Sequence, residues 1–123
     1  MFNGALNNFC YKANKIATEK GFWDSTTSAM SDSISAGGFV QDILDAFISQ
    51  KIALIMSECG EALEAMRKNH YGLEEKDTFE DELADVFIRL ADLCGQCDID
   101  IERQIEWKME LNKTRGAKHG KNF

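Results

Sequence analysis

Apolar residues recur along this chain at spacings of three and four, the period of an α-helix seen from one side. In residues 2–20 the stripe is Phe2, Leu6, Phe9, Ala13, Ile16 and Ala17, and Gly21 stops it. Phe39 to about Asn69 reads as one long helix, with Val40, Ile43, Leu44, Phe47, Leu54, Ile55, Ala62 and Ala65 on its apolar side. Asn69 to Lys76 is a turn containing Tyr71-Gly72. The next helix is capped by Asp77 or Thr78, with Glu80 or Asp81 supporting its first turn. Its apolar face is Phe79, Leu83, Val86, Leu90, Leu93 and Cys97. A last helix runs from about Asp98 or Asp100 to Lys113, along the stripe Ile101, Ile105, Lys108, Asn112, Arg115. Ser25 to Gly38 is rich in Ser, Thr and Gly. It is expected to be a loop long enough to close over a site, with at most a short helical piece around Met30.

The pattern contains no strand alternation and the chain contains no proline, so the expected class is all-α. Its subunit would be of four-helix-bundle type. At 123 residues one domain, 1–123, is the natural count.

Polar residues interrupt the apolar stripes in two places. On the long helix the stripe Phe47, Lys51, Leu54, Glu58, Glu61, Ala65 carries two carboxylates in line with apolar neighbours. On the next, Glu82, Asp85, Arg89 and Asp92 run beside the apolar face at steps of three and four. Glu58/Glu61 and Glu82/Asp85 are i, i+3 pairs, so each presents both side chains on one helix face. A short turn makes the two helices antiparallel neighbours, which gathers four carboxylates into a small volume. Four anions there need cations to stay charged. Hard oxygen ligands select Mg²⁺, with Mn²⁺ as a substitute; a purely structural carboxylate cluster is the competing reading. A di-iron bundle would need Glu-x-x-His on two helices. The residues three before His70 and His119 are Arg67 and Gly116, so that motif is absent.

Hydrophobic residues make up 44% of the chain, enough for a core, and the net charge is −7. Such a charge disfavours a nucleic-acid-coating role, yet admits one nucleotide carried in with its metal. The longest aliphatic run, Ile52 to Met56, is too short to span a bilayer. With no signal-peptide pattern after Met1, the expected location is the cytoplasm, with neither membrane nor nucleic acid as partner. Cys10, Cys59, Cys94 and Cys97 are therefore expected to be reduced. Cys94-Gly95-Gln96-Cys97 has metal or redox spacing but no second pair, so the cysteines read as small buried hydrophobes.

Lys51-Ile-Ala-Leu-Ile-Met-Ser-Glu-Cys-Gly-Glu-Ala-Leu-Glu-Ala-Met-Arg67 resembles the first motif of the MazG-like, all-α NTP pyrophosphohydrolases. Glu80-Asp-Glu-Leu-Ala-Asp-Val-Phe-Ile-Arg-Leu-Ala-Asp-Leu93 resembles the second. Lys108-Met-Glu-Leu-Asn-Lys-Thr-Arg115, followed by Lys118-His-Gly-Lys121, is similar to the family's C-terminal signature. The resemblance runs from about Gly21 to the end. It departs at Gly116, where many relatives carry proline, and it does not account for the serine-rich segment 25–38.

The resemblance implies hydrolysis of a nucleoside triphosphate to the monophosphate and pyrophosphate, in a nucleotide-pool house-cleaning role. It implies Mg²⁺ held by Glu58, Glu61, Glu82 and Asp85, and a homodimer or pair of dimers whose helices build each site together. In such a site water attacks the α-phosphorus in line, with Glu61 as the candidate general base. Lys108, Asn112 and Arg115 share a face and would hold phosphate oxygens, unless they are ordinary solvated residues. His119 reads as a tail residue or a further phosphate contact. Lys51 suggests phosphate contact or a balancing charge. Arg89 would touch substrate or pair with Asp85 or Asp92. Trp23 is either a platform for a base or a core residue. The reading from another class is a non-catalytic helical module that binds nucleotide or a protein partner on the same fold.

Overall fold

The computed structural model describes residues 1–116, which form five α-helices and no strand. They are α1 (Ala5–Glu19), α2 (Asp24–Ser35), α3 (Val40–Arg67), α4 (Phe79–Gln96) and α5 (Ile101–Lys113). The all-α expectation holds, and the bounds of α1, α3, α4 and α5 fall within a few residues of those read from periodicity. None of these helices is long and apolar enough to cross a membrane.

The serine-rich stretch is the exception. Expected as a loop over 25–38, it is instead helical through Ser35, and only then do Gly37 (φ 73°) and Gly38 break it. Thr26, Ala29, Met30 and Ser33 are its buried and half-buried positions, at a helical spacing, and the helix packs on α3. Two hydroxyls turn back on the helix: Thr27 Oγ1 donates to the Trp23 carbonyl and Ser35 Oγ to that of Ser31. Tertiary packing thus overrides a weak helix propensity.

Helix α4 lies between α1 and α3 and packs extensively on both. Its contact with α1 is made of small residues: Cys10 and Ala13 meet Ala91 and Cys94 in one core cluster. A second cluster joins Ala17, Trp23 and Leu93, with Ile48 and Ile55 of α3 packed against it. The bulky residues of the α1 stripe do not supply this core. Phe2, Phe9 and Ile16 stay exposed, and Asn7, Cys10, Ala13 and Ala17 are buried in their place. Close helix approach favours the face without large side chains. Two of the four cysteines, Cys10 and Cys94, are buried as expected, whereas Cys59 and Cys97 are exposed.

Helix ends are fastened by polar side chains. The Leu6 and Asn7 amides donate to Glu102 Oε2, placing a carboxylate of α5 at the positive end of α1. Asn7, nearly fully buried, donates from Nδ2 to Asp100 Oδ1 at 2.9 Å. Thr78 is the α4 cap: its Oγ1 accepts from the Asp81 amide and donates to the Gly72 carbonyl at 2.8 Å. The Phe79 amide reaches back to the His70 carbonyl at 2.8 Å. These bonds fix the turn between α3 and α4, and with it the register of the two acidic helices.

Candidate functional site

Antiparallel packing of α3 and α4 brings carboxylates from both helices together. Oxygens of Glu58, Glu82 and Asp85 all lie within 4.8 Å of one another. Glu82 and Asp85 are one turn apart on α4, and Glu58 faces them from α3. Glu82 is only 9% exposed, and no donor among the described residues reaches its carboxylate. Its pKa is raised, chiefly by burial and then by the negative charges of Asp85, Glu58, Glu61 and Asp81. A largely buried carboxylate that receives no protein hydrogen bond among the described residues, facing two others, is a donor set that a hard divalent cation would suit.

Arg89 supplies the one ion pair within this group among the described residues. Its Nε donates to Glu58 Oε1 at 2.6 Å. The sequence offered Asp85 or Asp92 as its structural partners, and the observed one is on the other helix. Asp92 is engaged elsewhere: both its oxygens accept from Trp23 Nε1, at 2.9 and 3.1 Å, and Oδ1 also accepts from Asn14. Glu61 is exposed and outside the group of three, although near enough to raise Glu82.

Other candidates lie apart from the carboxylates. Trp23 is 2% exposed and packs in a core cluster with Ala17 and Leu93. Lys51 Nζ stands 4.4 Å above that ring and donates to the Phe22 carbonyl at 2.9 Å. It therefore clamps the α1–α2 turn to α3, and its charge is used two helical turns from Glu58. Lys108, Asn112 and Arg115 are exposed, on or just beyond α5, the helix that packs on α1. No side-chain hydrogen bond or ion pair joins them to the carboxylates among the described residues. Lys118, His119 and Lys121 lie outside the described residues.

The signal missed in the sequence was Asp92. It sits in line with Glu82, Asp85 and Arg89 but serves the Trp23 indole; a lone carboxylate one turn past an arginine carries no mark of an aromatic partner.

All-helical architecture with carboxylates gathered from two antiparallel helices defines a class: helical proteins built around an acidic, cation-compatible centre. Residues 48–117, more than half of the chain, match the family model described as the MazG nucleotide pyrophosphohydrolase domain. The chain belongs to that family. The match begins within α3, later than the resemblance read from Gly21 onward. Comparison with curated proteins and with solved structures gave no match.

Proposed function

We propose that the protein hydrolyses a nucleoside triphosphate to the monophosphate and pyrophosphate, using Mg²⁺ or Mn²⁺ held by Glu58, Glu82 and Asp85. The observation that carries this reading is the convergence of those three carboxylates inside the matched region. A bound cation would offset phosphate charge and polarise the α-phosphorus. Glu61 is the fourth carboxylate and the candidate base. It bears no ion pair among the described residues, so it is available to take the proton of the attacking water. The new bond joins that water oxygen to the α-phosphorus, and the bond to the bridging oxygen breaks as pyrophosphate leaves. Removing damaged or surplus nucleotides from the cytoplasmic pool is the role that fits this chemistry.

The working form in this reading is a homodimer or a pair of dimers, which would complete a helical bundle. Its support is an apolar stripe on the outer side of α3. Ile52, Met56, Cys59, Leu63 and Met66 follow steps of four and three, and all are exposed. Leu83, Phe87 and Leu90 add an exposed apolar face on α4. Solvent-facing heptad spacing of this length is the pattern of helices that meet a partner. Because α5 packs on α1, association of two copies is also the means by which Lys108, Asn112 and Arg115 would meet triphosphate at a site.

The test is pyrophosphate release from a panel of ribo- and deoxyribonucleoside triphosphates, with Mg²⁺ and with chelator. Metal-dependent release identifies the reaction, and the preferred base names the substrate. A folded protein that releases none from any of them would instead be a binding module.

A further inference from the structure

We infer that Arg89 is an internal counter-charge: it offsets part of the carboxylates' negative charge, through Glu58, when no cation is bound, and its free edge is set to receive phosphate. This rests on the reading that Glu58, Glu82 and Asp85 hold the cation. Three acidic side chains converge there, and Lys76, in the turn before α4, is committed to Asp81 at 2.9 Å. Among the described residues, Arg89 alone is ion-paired with one of the three.

The manner of the pairing matters. Arg89 follows Asp85 by one turn of α4, so it borders the group on the same helix face. It engages Glu58 through Nε only; neither η nitrogen makes a hydrogen bond among the described residues, and the side chain is 43% exposed. The guanidinium therefore uses one donor of five and leaves its planar η edge to solvent. That edge is the part of arginine that suits two phosphate oxygens at once.

Two consequences follow from the charge. A guanidinium bonded to one of the carboxylates opposes a divalent ion arriving at the same oxygens. A polyphosphate brings negative charge that offsets the guanidinium and engages its η edge. Cation and polyphosphate then favour each other's binding, and the coupling is reciprocal. Were Arg89 merely an orienting partner for Glu58, its removal would weaken cation binding, which is the opposite sign.

The experiment is Mn²⁺ binding, followed by electron paramagnetic resonance, to the full chain and to Arg89→Gln, Arg89→Lys and Glu82→Gln, with circular dichroism on each. With Mn²⁺ alone, R89Q is expected to bind about tenfold more tightly than the unaltered chain, and R89K within about twofold of it, because lysine keeps the charge. With Mn²⁺ presented as its complex with inorganic tripolyphosphate, R89Q is expected to bind about tenfold more weakly. Equal or weaker Mn²⁺ binding by folded R89Q overturns the inference, as does tighter binding by R89K. Equal binding of the tripolyphosphate complex overturns its second half. If the unaltered chain and E82Q bind Mn²⁺ alike, the carboxylate site itself is wrong; if E82Q alone loses binding while R89Q gains none, only the role of Arg89 fails.

Discussion

Gly95 of α4 passes so close to Cys10 of α1 that a β-carbon on it would stand 2.6 Å from the Cys10 carbonyl oxygen and 2.7 Å from Asn14 Cβ. The first of these neighbours is backbone and cannot swing aside. Gly95→Ala is therefore expected to push the helices apart and lower stability by about 1–3 kcal/mol. Gly60, inside α3, has nothing within 4 Å of the same position. Gly60→Ala should raise stability by about 0.5–1 kcal/mol through helix propensity. Urea midpoints of the two variants give the answer; equal midpoints would mean that α1 and α4 do not approach this closely.

Glu82 makes stability depend on pH in a definite direction. Its folded pKa is raised above the ordinary carboxylate value, so the charged form is disfavoured by folding. The stability it contributes is fully present below the ordinary value and is lost as pH rises through the folded one. In chelator, melting temperature should thus climb as the solution is acidified from neutral towards the ordinary carboxylate range. Asp81 acts oppositely. Its pKa is lowered, chiefly by the hydrogen bond from Lys76, and its contribution is lost only as pH falls further, below the ordinary range. Glu82→Gln should melt higher than the unaltered chain in chelator at neutral pH and should lose the stabilisation that Mg²⁺ gives. A melting temperature flat across this window, identical in both proteins, would contradict the burial of Glu82.

Alanine at Glu58 or at Asp85 should lower pyrophosphate release by more than about a hundredfold while far-ultraviolet circular dichroism stays unchanged. The helices survive because neither side chain belongs to the core clusters, which lie along α1, α4 and the Trp23 end of α3. Near-normal turnover in either variant would remove the carboxylates from the mechanism.

Cys59 reports on association. It is exposed in the subunit and centred in the apolar stripe of α3. In a dimer built on that stripe its thiol is covered, so alkylation should be slow at high protein concentration and speed up on dilution. Cys10 and Cys94 should stay unreactive throughout. Burial raises both thiols, Cys94 to about 11, and the thiolate is the reactive form. Rapid alkylation of Cys59 at every concentration would exclude this interface.

The legible parts of the sequence were those that periodicity and local chemistry encode. Helices α3, α4 and α5 were marked by spacing, and the α4 cap by Asp77-Thr78. Glu58, Glu82 and Asp85 stood out because carboxylates replaced apolar residues within or beside a stripe. Residues whose placement depends on distant partners were not legible. The hydroxyls of α2 weigh against a helix until the helix packs on α3 and buries Thr26. Phe2, Phe9 and Ile16 look like core until Gly95 and Ala91 draw the small face of α1 inward. Trp23 and Lys51 could be assigned only once their mutual contact was visible, since a lysine over an indole leaves no local pattern.

That contact has an optical consequence. Trp23 lies in a buried cluster with a cation above its ring and a carboxylate on its indole nitrogen, while Trp107 on α5 is 57% exposed. The two indoles should emit at distinct wavelengths, Trp23 toward the blue and Trp107 toward the red. Iodide would quench only the second. The chain thus carries one built-in gauge of where α1, α3 and α4 meet and another for whatever approaches α5, and both can be read without attaching a dye.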